Sequence, residues 1–321
     1  MKTVFIVNPC AGRGEGCKET VEFIKESCTL INADFDIYIT KSVGDATEFV
    51  KGYIKRNGCA RFIACGGDGT LSEVINGVIE YSDCEVGVMP NGTGNDFCRN
   101  FVTTASYRDA ISQVYGSTVI CDAIKYTYHI NETEFVKYCA NMINIGFDCN
   151  VADMTAQMKK KPFISGSMAY YASIFSKLIK KDGAKLKITI DGKEEHTGTL
   201  LLTSIANGSY CGGGIMSNPL ADLSDGFLDV NIVNDVSRIK FLKLLPHYIK
   251  GDFLSLKNIE NVVRTFKCKK ITVEPLEGTM RICNDGEIFD AEKTEFKVIP
   301  KAFKFVVPSA IAPKKEKHKL Q

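Results

Sequence analysis

The sequence predicts two domains of different class, an α/β domain built on a parallel sheet and a second, largely antiparallel β domain. Three observations carry this. Strand and helix signals alternate from Thr3 to Val88. From about Asp122 the alternation stops and β-rich segments dominate. Two strands of the first part run straight into glycine-rich turns that enter helices, as strands of an open parallel α/β sheet do.

In the first part, Thr3–Val7 reads as strand, Cys17–Cys28 as helix, Phe35–Ile39 as strand and Asp45–Asn57 as an Asp-capped helix. Arg61–Cys65, Leu71–Ile79 and Glu85–Val88 continue strand, helix, strand. Helical crossovers between short apolar strands imply parallel pairing. Ligands of such sheets sit beyond the carboxyl ends of the strands, where Asn8, Thr40, Asp68 and Asn91 all fall. In the second part, Ile124–Ile130, Phe135–Ile145, Lys185–Asp191, Thr197–Ala206 and Leu228–Val233 read as strands. Asp191-Gly192 signals a tight hairpin, and helices are expected near Val151–Lys159 and Ser167–Lys181. The expected division is 1–122 and 123–295, with about 296–308 packing back on the first domain through Ala302–Val307. Residues 309–321 form a basic tail without apolar periodicity, expected to be disordered.

Composition narrows the function classes. The 321 residues are 45% hydrophobic and 24% charged, with a net charge of +2, so nothing favours nucleic acid as a partner. No apolar run reaches membrane-spanning length, and Asn8-Pro9 follows the first apolar run too soon for a secretion signal, so a cytoplasmic protein is expected. The 13 cysteines include no Cys-x-x-Cys pair and the four histidines are scattered, which makes buried apolar thiols the expectation and a zinc site not. Lys159–Lys161, Lys180-Lys181 and the tail are basic enough to touch anionic lipid, with a solvated surface as the default.

The chemistry concentrates in Gly66-Gly67-Asp68-Gly69-Thr70 and Asn91-Gly92-Thr93-Gly94-Asn95-Asp96-Phe97. Small residues let an anion approach the main chain, and the helix N-terminus that follows offers oriented N–H donors. Asp68 beside such a loop would repel a phosphate unless a cation intervened, which points to magnesium; alternatively it caps the helix. Arg99 suits phosphate oxygens, with a surface helix arginine as its alternative. Gly12-Arg13-Gly14-Glu15-Gly16-Cys17-Lys18 is not a P-loop, because no Gly-Lys-Ser/Thr occurs.

These paired motifs closely resemble the catalytic domain of the diacylglycerol kinase family, in its soluble bacterial lipid kinase branch. The resemblance extends to Val7-Asn8-Pro9, to Asn218–Gly226 and to Asn284-Asp285-Gly286-Glu287. It implies an N-terminal NAD kinase/diacylglycerol kinase-like domain, a C-terminal β-sandwich, ATP as donor and Mg2+ as cofactor. It also implies nucleotide contacts from Asn8, Pro9, Thr40, Gly66, Gly67, Asp68, Gly69, Thr70, Leu71, Ser72 and Thr93. Catalytic roles fall to Asp68, Asp96, Arg99 and Glu287, the last as general base for a lipid hydroxyl; an exposed Glu after an Asp-Gly turn is its bland alternative. A structural Mg2+ is implied at Asp222, Asp225 and Phe227, where a plain acidic turn would look the same. The expected reaction is ATP-dependent phosphorylation of diacylglycerol to phosphatidic acid at the membrane surface. Phosphatidylglycerol or a sphingoid base as acceptor, or a non-catalytic nucleotide or lipid sensor, are the rivals, and a homodimer is implied by analogy.

Overall fold

The computed structural model describes residues 1–14, 16–101, 107–131, 133–147, 149–151, 153–154, 173, 183–285 and 287–308. The helices expected over 151–159 and 167–181, the lysine runs within them and the basic tail therefore lie almost wholly outside the described residues. The chain divides into two compact units, Met1–Cys121 with the segment from Ala302 onward, and Asp122–Lys301.

The first unit holds β1 (Thr3–Val7), α1 (Cys17–Leu30), β2 (Phe35–Ile39), α2 (Asp45–Asn57), β3 (Arg61–Gly66), α3 (Asp68–Val78), β4 (Glu85–Pro90), α4 (Asp96–Arg99) and α5 (Ala110–Tyr115). Its strands pair in parallel in the order β2-β1-β3-β4. After their first residues, Thr3 and Arg61, the middle strands β1 and β3 carry no polar side chain, because both faces are covered. Phe5, Val7, Ile63 and Cys65 face α1 through Ile24 and Cys28, while Phe62 on the other face meets Tyr53 of α2 edge to face. The strand order reverses between β1 and β3, the position at which such sheets open a crevice beyond their carboxyl ends.

Two elements differ in detail from expectation. The third helix starts at Asp68 rather than Leu71, taking Gly69 and Thr70 into its first turn. α2 is not capped by Asp45, whose carboxylate instead accepts from Lys41 N and the Tyr38 hydroxyl. Its cap comes from Glu73 of α3, which accepts from Gly44 N at 2.9 Å and Ala46 N at 3.1 Å. A carboxylate brought by a neighbouring helix satisfies the orphan donors as well as a local one would.

The second unit is antiparallel. It contains β5 (Ser117–Ile130), β6 (Thr133–Cys139), β7 (Met142–Gly146), β8 (Ala184–Ile190), β9 (Lys193–Ala206) and β10 (Leu228–Asn234), then α6 (Arg238–Lys250). β11 (Val263–Cys268), β12 (Lys270–Pro275), β13 (Met280–Asn284), β14 (Glu287–Ala291) and β15 (Thr294–Val307) complete it. The unit boundary falls inside β5 and inside β15; the end of β15 pairs in parallel with β4, Lys304 opposite Glu85. The single strand expected over Phe135–Ile145 is two. Asn141 breaks it, because its carbonyl accepts from Asn207 N and Gly208 N and its amide donates to the Tyr210 carbonyl. The helix α6 was not expected, although Phe241, Leu244 and Tyr248 recur at helical spacing and seat it on Phe253, Val262 and Val263.

Candidate functional site

In the first unit the segments beyond the strands continue the sheet's hydrogen bonding. Asn8 N donates to Cys65 O, Thr40 N to Val7 O and Asn91 N to Gly66 O, at 2.8–3.0 Å. Asn8, Thr40, Gly66 and Asn91 are thereby held at one end of the sheet. Asn8 donates its amide to the Thr70 hydroxyl at 3.0 Å and accepts from Cys10 N, which ties the turn at Pro9 to the start of α3.

The glycines are required where the two loops touch. A Cβ on Gly92 would stand 2.5 Å from the Gly67 Cα, one on Gly66 2.3 Å from the Thr70 hydroxyl oxygen, and one on Gly94 2.6 Å from Asp68 Oδ2. Gly69 differs: a Cβ there would meet nothing within 4 Å. The first turn of α3 has no side-chain cap, its N-cap being Gly67. An uncapped, glycine-lined helix start facing open space is a cradle that fits an anion. Leu71 and Ser72 are buried, and Thr93 is exposed. A small pocket beside the loop is lined by Gly67, Asp68, Leu71, Val88, Asn95 and Cys98.

Asp68 does something the spacing could not reveal. Its two carboxylate oxygens accept from Asn95 N at 2.7 Å and Asp96 N at 2.9 Å, so it caps α4, the helix begun by the other motif. Burial pushes its carboxyl above the ordinary aspartate range, against the pull of the backbone N–H groups of Asn95, Asp96, Asp68 itself and Phe97. Replacing Asp68 therefore disturbs the packing of both loops as well as any charge they present. Asn95, at φ 52°, closes the second loop by bonding both Gly92 N and Gly92 O. Arg99 turns inward, donating to the Gly94 carbonyl and lying 3.4 Å from Asp96 Oδ1. Among the described side chains of this loop pair, the acids are committed to protein donors, and an incoming phosphate would meet main-chain N–H groups first.

The second unit carries the remaining candidates. Asp285, at φ 45°, turns the β13–β14 hairpin, and Asn284 donates to the Tyr126 hydroxyl at 2.8 Å. Glu287 begins β14 opposite Asn284 with its side chain 38% exposed and Lys137 Nζ 3.8 Å away. The loop from Asn207 to Phe227 is pinned by amides and hydroxyls: Asn207 to the Asp122 and Ala140 carbonyls, Ser204 to Asn218, Asn218 to the Asp229 carbonyl, and Asn231 to the Ser217 carbonyl. Gly212, Gly213 and Gly214 all have positive φ, a turn that only glycine makes without strain. Asp122, passed over in the sequence, accepts from Gly226 N and Lys301 N, both at 2.7 Å. Its only sequence signal was a lone acid inside an apolar run.

The acids proposed for a structural metal already have partners. Asp222 accepts from Ser224, Asp225 from Phe227 N, and Lys267 pairs with both Asp225 and Asp229. Burial works against the charged form of Lys267, but the two carboxylates outweigh it and raise its pKa above the ordinary lysine value. Among the described residues no group of three or more His, Cys, Asp or Glu side chains is arranged to hold a metal. A cation at Asp222, Asp225 and Phe227 would have to displace the Lys267 ammonium. Lys267→Met is therefore expected to lower Tm by several degrees in EDTA. Added magnesium should raise the variant's Tm and leave the parent's almost unchanged. Equal magnesium responses of the two proteins in calorimetry would show that Lys267 does not occupy the cation's place.

Residues 2–125 match the sequence model of the diacylglycerol kinase catalytic domain. Residues 141–307, more than half of the chain, match that of the YegS C-terminal NAD kinase beta sandwich-like domain. A protein of Mycobacterium tuberculosis named diacylglycerol kinase is 26% identical over 311 residues, covering 96% of this chain and 95% of its own. The crystal structure of a diacylglycerol kinase from Bacillus anthracis superposes with a TM-score of 0.69 at 23% identity, covering 97% of this chain and 98% of that one, a likeness of fold.

Proposed function

This chain belongs to the diacylglycerol kinase family and is a diacylglycerol kinase-like lipid kinase; from that premise we propose that it uses ATP and Mg2+ to phosphorylate a lipid hydroxyl, diacylglycerol to phosphatidic acid. The observation that most supports nucleotide binding is the uncapped first turn of α3, with Gly69 facing open space between glycines whose neighbours leave no room for a side chain.

When bound, ATP with magnesium supplies the γ-phosphoryl group and the charge that screens it. The main-chain N–H groups of Gly67, Gly69 and Thr70 hold phosphate oxygens, and Asn8 keeps the Thr70 hydroxyl turned toward the loop. Asp68 keeps α4 and the Gly92–Asn95 turn in place and adds a negative field that favours a cation near the loop. Thr40, Ser72 and Thr93 line the nucleotide side. Asp96 and Arg99 hold the loop's charge in balance. Glu287 accepts the proton of the acceptor hydroxyl as its oxygen bonds to phosphorus, while the bond from phosphorus to the β-phosphate oxygen breaks and ADP leaves. The reaction takes place at the cytoplasmic surface of the membrane that holds the lipid.

The test is transfer of radiolabelled phosphate from ATP to a panel of lipids in mixed micelles, with and without magnesium. Label in phosphatidic acid is the expected result. Label only in phosphatidylglycerol or a sphingoid base would change the acceptor and keep the chemistry. Tight ATP binding with no label in any lipid would overturn the reading in favour of a sensor.

A further inference from the structure

The helix α6 is buried on one side and unusual on the other. Phe241, Leu244 and Tyr248 face the unit's core. Ile239 and Leu242 stand 69% and 41% exposed, and Lys240, Lys243 and Lys250 are exposed around them. Ile239, Leu242, Lys243, Pro246 and Lys250 follow one another at spacings of one, three and four and so share the outer stripe. The helix contains no Asp or Glu. Among the described residues none of the three lysines is in an ion pair; the carboxylate at its C-terminal end, Asp252, is engaged by His247 at 2.9 Å. A surface helix made for water alone interleaves both signs of charge and exposes few large aliphatic side chains. Isolated aliphatic side chains ringed by long cationic stems are instead the pattern of a helix lying in a lipid interface, the aliphatics entering the acyl boundary while the ammonium groups reach back to the phosphates.

We propose that the outer face of α6 docks the protein on an anionic phospholipid bilayer, with Ile239 and Leu242 entering the interface and Lys240, Lys243 and Lys250 meeting lipid phosphates. Charge complementarity selects this occupant. Docking accounts for access to a bilayer-held acceptor under the proposed function, but it is measurable without turnover.

The experiment is co-sedimentation with vesicles of phosphatidylcholine alone and of phosphatidylcholine mixed with phosphatidylglycerol, over a salt series. The parent protein is expected to bind the mixed vesicles, more weakly as salt rises. Lys240→Glu with Lys243→Glu should weaken binding by about tenfold or more. Ile239→Asp should weaken it too, while all variants keep the parent's Tm, since these side chains lie in solvent. Phosphate transfer in detergent micelles should be unchanged in the variants and transfer in mixed vesicles reduced. Equal binding of parent and variants, or binding to neutral vesicles as strong as to anionic ones, would overturn the proposal. So would a shift in oligomeric state on mutation, which would make this face an interface between copies. Vesicle binding as expected with no phosphate transfer to any lipid would sink the kinase reading and leave the docking surface standing.

Discussion

Glu287→Gln is expected to lower the rate of phosphoryl transfer by about 10²- to 10⁴-fold, the usual contribution of a general base, while Tm stays within about two degrees of the parent. The stability half of this expectation follows from the site. The Glu287 side chain is 38% exposed, and the ion pair it makes among the described residues is the loose one to Lys137 at 3.8 Å. Exposed pairs of that kind contribute about 0–1 kcal/mol. Gln keeps the shape and the strand pairing with Asn284 and removes the proton acceptor. The readout is single-turnover transfer from labelled ATP, run beside calorimetry. If the variant keeps a rate within about threefold of the parent with saturating lipid, Glu287 is not the base and the bland reading of an exposed residue after a turn is correct.

The second large effect separates folding from binding at two glycines of the paired loops in the first unit. Gly69→Ala should leave Tm unchanged or slightly raised, because a Cβ there meets nothing within 4 Å and alanine favours a helix by up to about 1 kcal/mol. It should nonetheless weaken nucleotide binding by about tenfold or more, since the methyl stands over the first turn where phosphate approaches the main chain. Gly92→Ala should do the opposite at the level of the fold. Its Cβ would lie 2.5 Å from the Gly67 Cα, backbone against backbone, and the forced separation of the loops costs about 1–3 kcal/mol. Isothermal titration with ATP and magnesium, paired with thermal unfolding, reads both. Parent-like ATP affinity in Gly69→Ala would remove the first turn of α3 as the phosphate cradle.

How far these sites were legible depends on the range of the interaction each residue makes. Glycine loops after apolar strands are local signals: the composition of the loop dictates main-chain exposure, and the alternation around it dictates where the loop lies on the sheet. Asp68 was legible as an acid beside a phosphate loop but not as the cap of α4, because its partners Asn95 and Asp96 lie 27 and 28 positions away. The cap of α2 was misread for the same reason, Asp45 being local and Glu73 belonging to another helix. Lys267 is 42 positions from Asp225, and nothing in the acidic loop hints that an ammonium stands beside it. The helix α6 had a readable period and was passed over because strands surround it on both sides.

The sequence by itself determined the class of both domains, the parallel pairing implied by helical crossovers, the two glycine loops and the membership in a kinase family. The first three rest on periodicity or on residue types whose backbone properties hold in any context, and the last on the resemblance of the motifs to those of a known family. Only the tertiary structure decided which acids are committed to protein partners, that Gly69 alone of the first loop faces open space, and that α6 turns lysines and bare aliphatics outward. Those depend on which distant groups meet, and burial and hydrogen-bond competition are settled by packing between elements that no local window contains.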